Sequence, residues 1–380
     1  MSIMLPSNTL ATIQTILKAG LIIMMFGLIG CDKKSDIKIG FSGCLTGRLS
    51  VLGISGRDGV LLATDEINKV GGINGRQVKV TIKDDQHIPE TAIKVDQELI
   101  DDGVVAIIGH MTSTMSAAAI PLANEKRIVL ISPTSTAKNF TGIDDYFIRT
   151  ALTDKKQTDQ LVDYAINHMR LARIAGVYDL SNRAFTEEWF NNFAASFKQR
   201  NGTVTNTSTF TSGSNPDYVK IAKDTIASDP EAVVIIAGAL DTALISQHIN
   251  KHNPQIKFIS SGWAKSPDLI KFGGPAVEGL ILPQTHNPQS QSPEYIAFKK
   301  AFRSFTGQEP DFAATGSYDI ARLLFAALKE TTDPKELKAA LLNQKKFKGV
   351  QGNIAIDQFG DADRASFLLE IKNGKFVVKE

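Results

Sequence analysis

Two apolar runs that do not alternate, each opening into a turn of small and hydroxyl residues, set the limits on this chain. Residues 104–108 run into Gly109-His110-Met111-Thr112-Ser113-Thr114, and residues 128–131 run into Ser132-Pro133-Thr134-Ser135-Thr136. A strand without alternation is covered on both faces, as in a parallel sheet between helices. After the first turn, Met115, Ala118, Ala119 and Leu122 recur at helical spacing. Where such a strand meets a helix, free backbone N–H groups and the helix dipole favour an anion, and hydroxyls add neutral donors. The two turns therefore predict a seat for a carboxylate.

The same alternation extends in both directions. Residues 37–41 read as a first strand, followed by a helix with Val60, Ala63, Ile67 and Val70 on one face. Gly53, Gly56 and Gly59 stand near its start, but neither G-x-G-x-x-G nor a G-K-[ST] ending is present, so they predict close packing rather than a nucleotide loop. Asp84-Asp85 close the next strand and are expected to cap the helix that begins near Pro89. Near Arg149-Thr150 the pattern restarts, with buried strands at 174–178 and 232–237. This is a doubly wound α/β pattern, twice over. Residues 347–361 read as a strand ending in a turn, and Asn373-Gly374 joins two last strands as a hairpin.

Catalytic and metal patterns are weak. His248 and His252 share a helix face without a third ligand nearby in sequence, which predicts a solvated face. No G-x-S-x-G, H-E-x-x-H or supported Ser-x-x-Lys motif occurs, and Cys44 is a lone thiol. No metal and no cofactor are expected. The formal net charge is +2, and no basic run points to a nucleic-acid partner.

Lys18 precedes an apolar run, residues 19–30, closed by Cys31. About a dozen apolar residues is short of the ~20 a membrane span needs and suits a secretory signal. Leu28-Ile29-Gly30-Cys31 resembles a bacterial lipobox. That resemblance implies a signal over residues 1–31, cleavage before Cys31 and a diacylglycerol on its sulfur, holding the protein at the cell membrane and facing the periplasm or exterior.

From residue 37 onward the chain resembles the type I periplasmic binding proteins of the leucine/isoleucine/valine-binding group. The motifs that carry this are Gly71-Gly-Ile-Asn-Gly-Arg76, Asp84-Asp85, Ile108-Gly-His110, Ile131-Ser-Pro133, Phe147-Ile-Arg-Thr150, Ala276-Val-Glu-Gly279 and Gly349-Val-x-Gly352. The resemblance implies two doubly wound α/β lobes joined by three hinge crossings. One lobe would hold residues 36–153 and 286–346, the other 154–285 and 347–380. The crossings would fall near 150–153, 284–287 and 345–348.

The resemblance also implies a ligand-binding set. Ser113, the backbone of Thr134, and Thr136 match the family's carboxylate contacts, and they lie in the two hydroxyl turns that form the anion seat. Elsewhere the pattern departs. An aromatic residue of the family is Leu52 here, and a tyrosine is Phe185, with Asn182 close by. The glutamate that pairs with an amino acid's ammonium falls at Gly262, followed by Trp263, and another tyrosine falls near Ala239. Asp241 and Tyr318 are candidates for a substitute contact. The pocket is expected to take either an apolar or aromatic carboxylate, or an amino acid held differently. The family's disulfide positions are His87 and Thr112.

The function so implied is a monomeric, non-enzymatic solute-binding lipoprotein that serves the membrane permease of an ABC importer. A sensor that signals instead of transporting remains the alternative. An exported α/β hydrolase would need a nucleophile–base pair that the sequence does not display.

Overall fold

The computed structural model describes residues 35–379. The apolar run 19–30 and Cys31, on which the expected signal and lipid anchor fall, lie outside the described residues. The first alternation is β1 (Ile37–Gly43), α1 (Ser50–Lys69), β2 (Val78–Asp84), α2 (Pro89–Asp101), β3 (Ala106–Ile108), α3 (Ser113–Lys126), β4 (Val129–Ser132) and β5 (Phe147–Arg149). These strands form a parallel sheet in the order β2-β1-β3-β4-β5. The second alternation begins with α4 (Asp154–Asn167), β6 (Arg173–Asp179), α5 (Arg183–Gln199), β7 (Thr203–Phe210) and α6 (Tyr218–Ile226). It continues with β8 (Ala232–Ile236), α7 (Ala239–His252), β9 (Lys257–Ser260), α8 (Pro267–Gly273) and β10 (Ile281–Gln284).

The chain then returns to the first lobe as α9 (Pro293–Thr306), α10 (Phe312–Leu328) and α11 (Pro334–Asn343). Five strands finish it: β11 (Lys346–Gly349), β12 (Gly352–Ile356), β13 (Ala362–Asp363), β14 (Phe367–Lys372) and β15 (Lys375–Val378). The second sheet runs β15-β14-β10-β9-β8-β6-β7. Its members β6 to β10 are parallel, and β14 and β15 add to one edge antiparallel.

The unalternating runs behave as their composition predicts. Val233 and Ile235 of β8 pack on one face of the sheet, with Ala243 and Ile245 of α7. Ala232, Val234 and Ile236 pack on the other, with Trp189, Phe193 and Phe197 of α5. In the first lobe Ile108 and Ile131 face α10, while Ile107 and Leu130 face α3. At ~25 cal/mol per Å² of apolar surface buried, covering both faces with Val, Ile and Phe is what holds each lobe.

The helices α1 and α10 meet at a glycine. A Cβ at Gly59 would stand 2.3 Å from the Ala314 carbonyl oxygen, so only hydrogen fits there. The glycines after the first strand thus serve packing.

One boundary differs from the expectation. The segment 347–361 is a hairpin of two strands, β11 and β12, which with β13 forms a separate small sheet. Val350, Ile354, Ile356 and Ala362 are buried in the first-lobe core. Residues 346–363 therefore pack with the first lobe, and the third crossing lies at 364–366, between β13 and β14. The physical reason is that β12 alternates, with Ile354 and Ile356 inward, and needs the first-lobe helices to bury that face.

Candidate functional site

The ends of β3 and β4 are tied together by their own hydroxyls. Ser113 does not cap its helix; the position before it, Thr112, makes no side-chain capping bond either. Instead Ser113 Oγ accepts from the backbone N–H of Thr136, at 3.2 Å, and of Ala137, at 3.3 Å. That leaves its proton to donate. Thr134 Oγ1 donates to the Met111 carbonyl at 2.7 Å, and Ser132 Oγ donates to the His110 carbonyl at 2.7 Å. The two turns are one rigid unit, which is what a preformed anion seat requires.

Below the seat stands a charge cluster that sequence reasoning missed. His110 is fully buried, with Nδ1 2.8 Å from Asp85 Oδ2 and Nε2 3.0 Å from Asp96 Oδ2. Burial by itself would lower the imidazole pKa. The Asp96 charge and the hydrogen bonds to both carboxylates outweigh it and raise it to about 10. The expectation that Asp84-Asp85 cap α2 is corrected: the position before that helix is Ile88, without a side-chain bond. Asp84 accepts from Leu45 N, Thr46 Oγ1 and Gln86 N, and Asp85 accepts from His87 N and faces His110. An aspartate bonds readily to backbone two residues on, so the pair folds its own turn instead of reaching the helix. Cys44 is buried, its Sγ donates to the Leu49 carbonyl at 3.3 Å, and burial together with the Asp85 charge pushes the thiol pKa up, so it stays protonated. The expected disulfide positions face each other as a polar pair, Thr112 Oγ1 and His87 Nδ1 at 3.3 Å.

The second lobe supplies the opposite wall. Phe185, in the first turn of α5, meets Trp263 edge to face, with ring centroids 5.9 Å apart and planes at 88°. Trp263 lies in a 3-10 turn, Gly262–Ala264. A Cβ at Gly262 would stand only 2.6 Å from the Pro283 carbonyl oxygen and 3.2 Å from Gln284 Nε2. The backbone has closed over the place where the resemblance aligns a glutamate. Asn182 Oδ1 accepts from Thr114 N at 3.1 Å, and Thr114 Oγ1 accepts from Ala184 N at 3.3 Å, so the start of α3 touches the start of α5.

Between the walls is a cavity lined by residues of both lobes. The structure brings all eight sequence-predicted ligand residues to it: Ser113, Thr134, Thr136 and Leu52 from the first lobe, Asn182, Phe185, Gly262 and Trp263 from the second. All three crossings reach it too, through Leu152, Gln284 and Arg364. Leu152 bridges Ala362, so the first and third crossings run side by side.

Asp241 and Tyr318 are not brought there. Asp241 is buried beneath Arg48, Tyr218 and Ser212. The Tyr318 hydroxyl donates to Glu66 Oε2 at 2.5 Å, within the first lobe. Their candidacy as substitute ligand contacts is corrected on that ground. The lining that sequence reasoning missed includes Gln157, Gln284 and Arg364. Arg364 sits in a short polar stretch, Asp361-Ala-Asp-Arg, with no periodicity to mark which side chain turns inward.

The cavity is a mixed surface: an aromatic and aliphatic body, with hydroxyls and amides around it. It can seat a small, partly apolar molecule with an acidic end. Among the described residues no group of three or more His, Cys, Asp or Glu side chains could hold a metal ion. No helix among them is long and apolar enough to cross a membrane.

The profile of a family described as periplasmic binding protein matches residues 36–375. The Leu/Ile/Val-binding protein homolog 1 of Brucella melitensis is 29% identical, across 88% of this chain and 90% of its own. A crystal structure of a leucine-binding protein from Thermotoga maritima superimposes with a TM-score of 0.84 at 25% identity, covering 90% of this chain and 98% of that one. A solute-binding protein of an ABC transporter from R. palustris, solved in complex with benzoate, has a TM-score of 0.81 at 21% identity, with coverage of 90% and 95%.

Proposed function

This chain belongs to the periplasmic binding protein family, which binds solutes and is not enzymatic, and on that premise we propose that it is the extracytoplasmic substrate-binding lipoprotein of an ABC importer. In this reading it takes an amino acid, branched-chain or related, or a small apolar or aromatic carboxylate between its lobes, and hands the closed form to a membrane permease. The observation that carries it is the cavity itself. Ser113 and Thr136 offer donors on one wall and Phe185 and Trp263 an apolar surface on the other. Relatives named for leucine, isoleucine and valine, and a structural neighbour holding benzoate, span both ligand classes. Contacts across the cleft support hinge closure: besides Asn182 with Thr114, His87 Nε2 stands 3.1 Å from the Ser181 carbonyl and Lys138 N donates to Glu188 Oε2 at 3.1 Å.

Anchoring through Cys31 and the transport role are tested together. Cells lacking the gene should lose uptake of the radiolabelled ligand and regain it with the wild-type chain. Cys31→Ser should leave the protein in the soluble fraction or as an unprocessed precursor. Unimpaired uptake in the deletion strain sinks the importer role, and membrane retention of the processed variant sinks the lipid anchor.

A further inference from the structure

Arg364 is the one formally charged side chain lining the cavity among the described residues. It follows β13 directly and so stands on the third crossing. Its guanidinium makes no hydrogen bond or ion pair among the described residues. The acid whose field reaches it is Asp319, whose Oδ1 accepts from Val350 N at 2.9 Å and lies 3.6 Å from Arg322 Nη1, while its Oδ2 is buried and makes no hydrogen bond to Arg364. Five N–H donors in a fixed fork are thus unspent, beside a cavity walled by Leu52, Phe185, Trp263 and Phe312.

Arg364 is partly buried, and a cation partly withdrawn from water gains when an anion joins it. No aspartate or glutamate lines the cavity. Nor can one be imagined at Gly262, where the Pro283 carbonyl occupies the space of a Cβ. A ligand ammonium would therefore find no carboxylate and would meet the field of Arg364. A ligand carboxylate would find both the guanidinium and the hydroxyl seat.

We infer that this cleft selects a ligand of net negative charge, an organic carboxylate with an apolar or aromatic body and no ammonium group, and that Arg364 pairs with its acidic function. This deepens the solute-binding reading of the same cleft and rests on it. The position of Arg364 adds a consequence. Pairing with the ligand ties the third crossing to the cleft wall, so ligand charge and lobe closure are linked through one residue.

The test is calorimetric titration of the purified full chain with three matched pairs. These are 4-methyl-2-oxopentanoate and leucine, phenylpyruvate and phenylalanine, benzoate and benzamide. At least one acid should bind, and bind about tenfold or more tighter than its uncharged or zwitterionic partner. Arg364→Gln should weaken that acid by roughly tenfold to a hundredfold, and Arg364→Lys should recover part of the loss. Circular dichroism melting of both variants establishes that they fold, and Arg364→Lys carries the test should the glutamine variant not fold. Leucine or phenylalanine binding as tightly as its oxo acid, or an acid affinity unchanged in Arg364→Gln, overturns the charge assignment while the solute-binding reading stands. Failure of all six compounds to bind removes both.

Discussion

Arg48 Nη2 lies 2.7 Å from Asp241 Oδ1, joining the turn after β1 to the first turn of α7 across the mouth of the cleft. The Tyr218 hydroxyl donates to the same carboxylate oxygen, and Arg48 also reaches that hydroxyl at 2.9 Å. Asp241 is buried, whereas the Arg48 side chain is 34% exposed, so the pair is partly screened by solvent. It forms a latch between the two lobes, outside the lining of the cavity.

Arg48→Ala should open this latch. An ion pair with one exposed partner is worth about 0.2–1 kcal/mol, which corresponds to up to roughly a fivefold faster release of ligand. Stopped-flow displacement at low and high salt measures it. The difference between wild type and variant should shrink as salt rises, and a difference independent of salt would assign the effect to packing.

Ser113→Ala with Thr136→Ala removes donors from the seat. Each hydrogen bond to a charged group is worth ~1.5–3 kcal/mol, so affinity for a carboxylate should fall tenfold or more. Ser113→Ala also strips the acceptor from Thr136 N and Ala137 N. A loss of ~1–3 kcal/mol in unfolding free energy should accompany it. Unchanged affinity would place the carboxylate elsewhere in the cavity.

Gly262→Ala puts a Cβ against the Pro283 carbonyl and should cost about 1–3 kcal/mol, seen as a lower denaturation midpoint. Gly262→Glu should not restore an ammonium site, because the backbone must move before the side chain can enter. High-affinity leucine binding by that variant would contradict this account of the second wall.

His110 carries a pH dependence with a definite sign. Its folded pKa, about 10, lies above the ordinary 6.5, so the folded state holds the extra proton between those values. The stabilisation is complete below about 6.5 and is lost as pH rises toward 10. Lys265, lowered by burial to about 8, works in the opposite direction. Urea unfolding should therefore be compared between wild type and His110→Gln. The wild-type advantage should decline steadily from pH 6.5 to 10, and a pH-independent advantage would show that His110 is neutral in the fold.

Much of the architecture was legible because the strands leave little choice. Ile107-Ile108, Leu130-Ile131 and Val233 to Ile236 are apolar at every position, which only a sheet covered on both faces accommodates. The hydroxyl turns were legible for the same local reason: small polar residues at a strand end adjoin a helix start. What failed to show is what depends on distance along the chain. His110 meets Asp85 and Asp96 from 25 and 14 residues away, and no spacing rule joins them. The third crossing was misplaced because β11 and β12 read as one strand, although Val350-Gln351 turns the chain between them. Arg364 looks like any surface cation until the crossing carries it into the cleft.

The central claim is that the cavity between Ser113 and Trp263 binds a small carboxylate, and a thermal-shift screen tests it most directly. The panel holds the common amino acids, their 2-oxo acids and simple aromatic carboxylates. A ligand at a hundred times its dissociation constant stabilises the native state by about 2.7 kcal/mol, which raises the melting temperature of a chain of this size by a few degrees. The account predicts such a rise with one or more carboxylates, lost in the Ser113→Ala, Thr136→Ala double variant. A rise that survives in that variant, or none with any carboxylate, would contradict it.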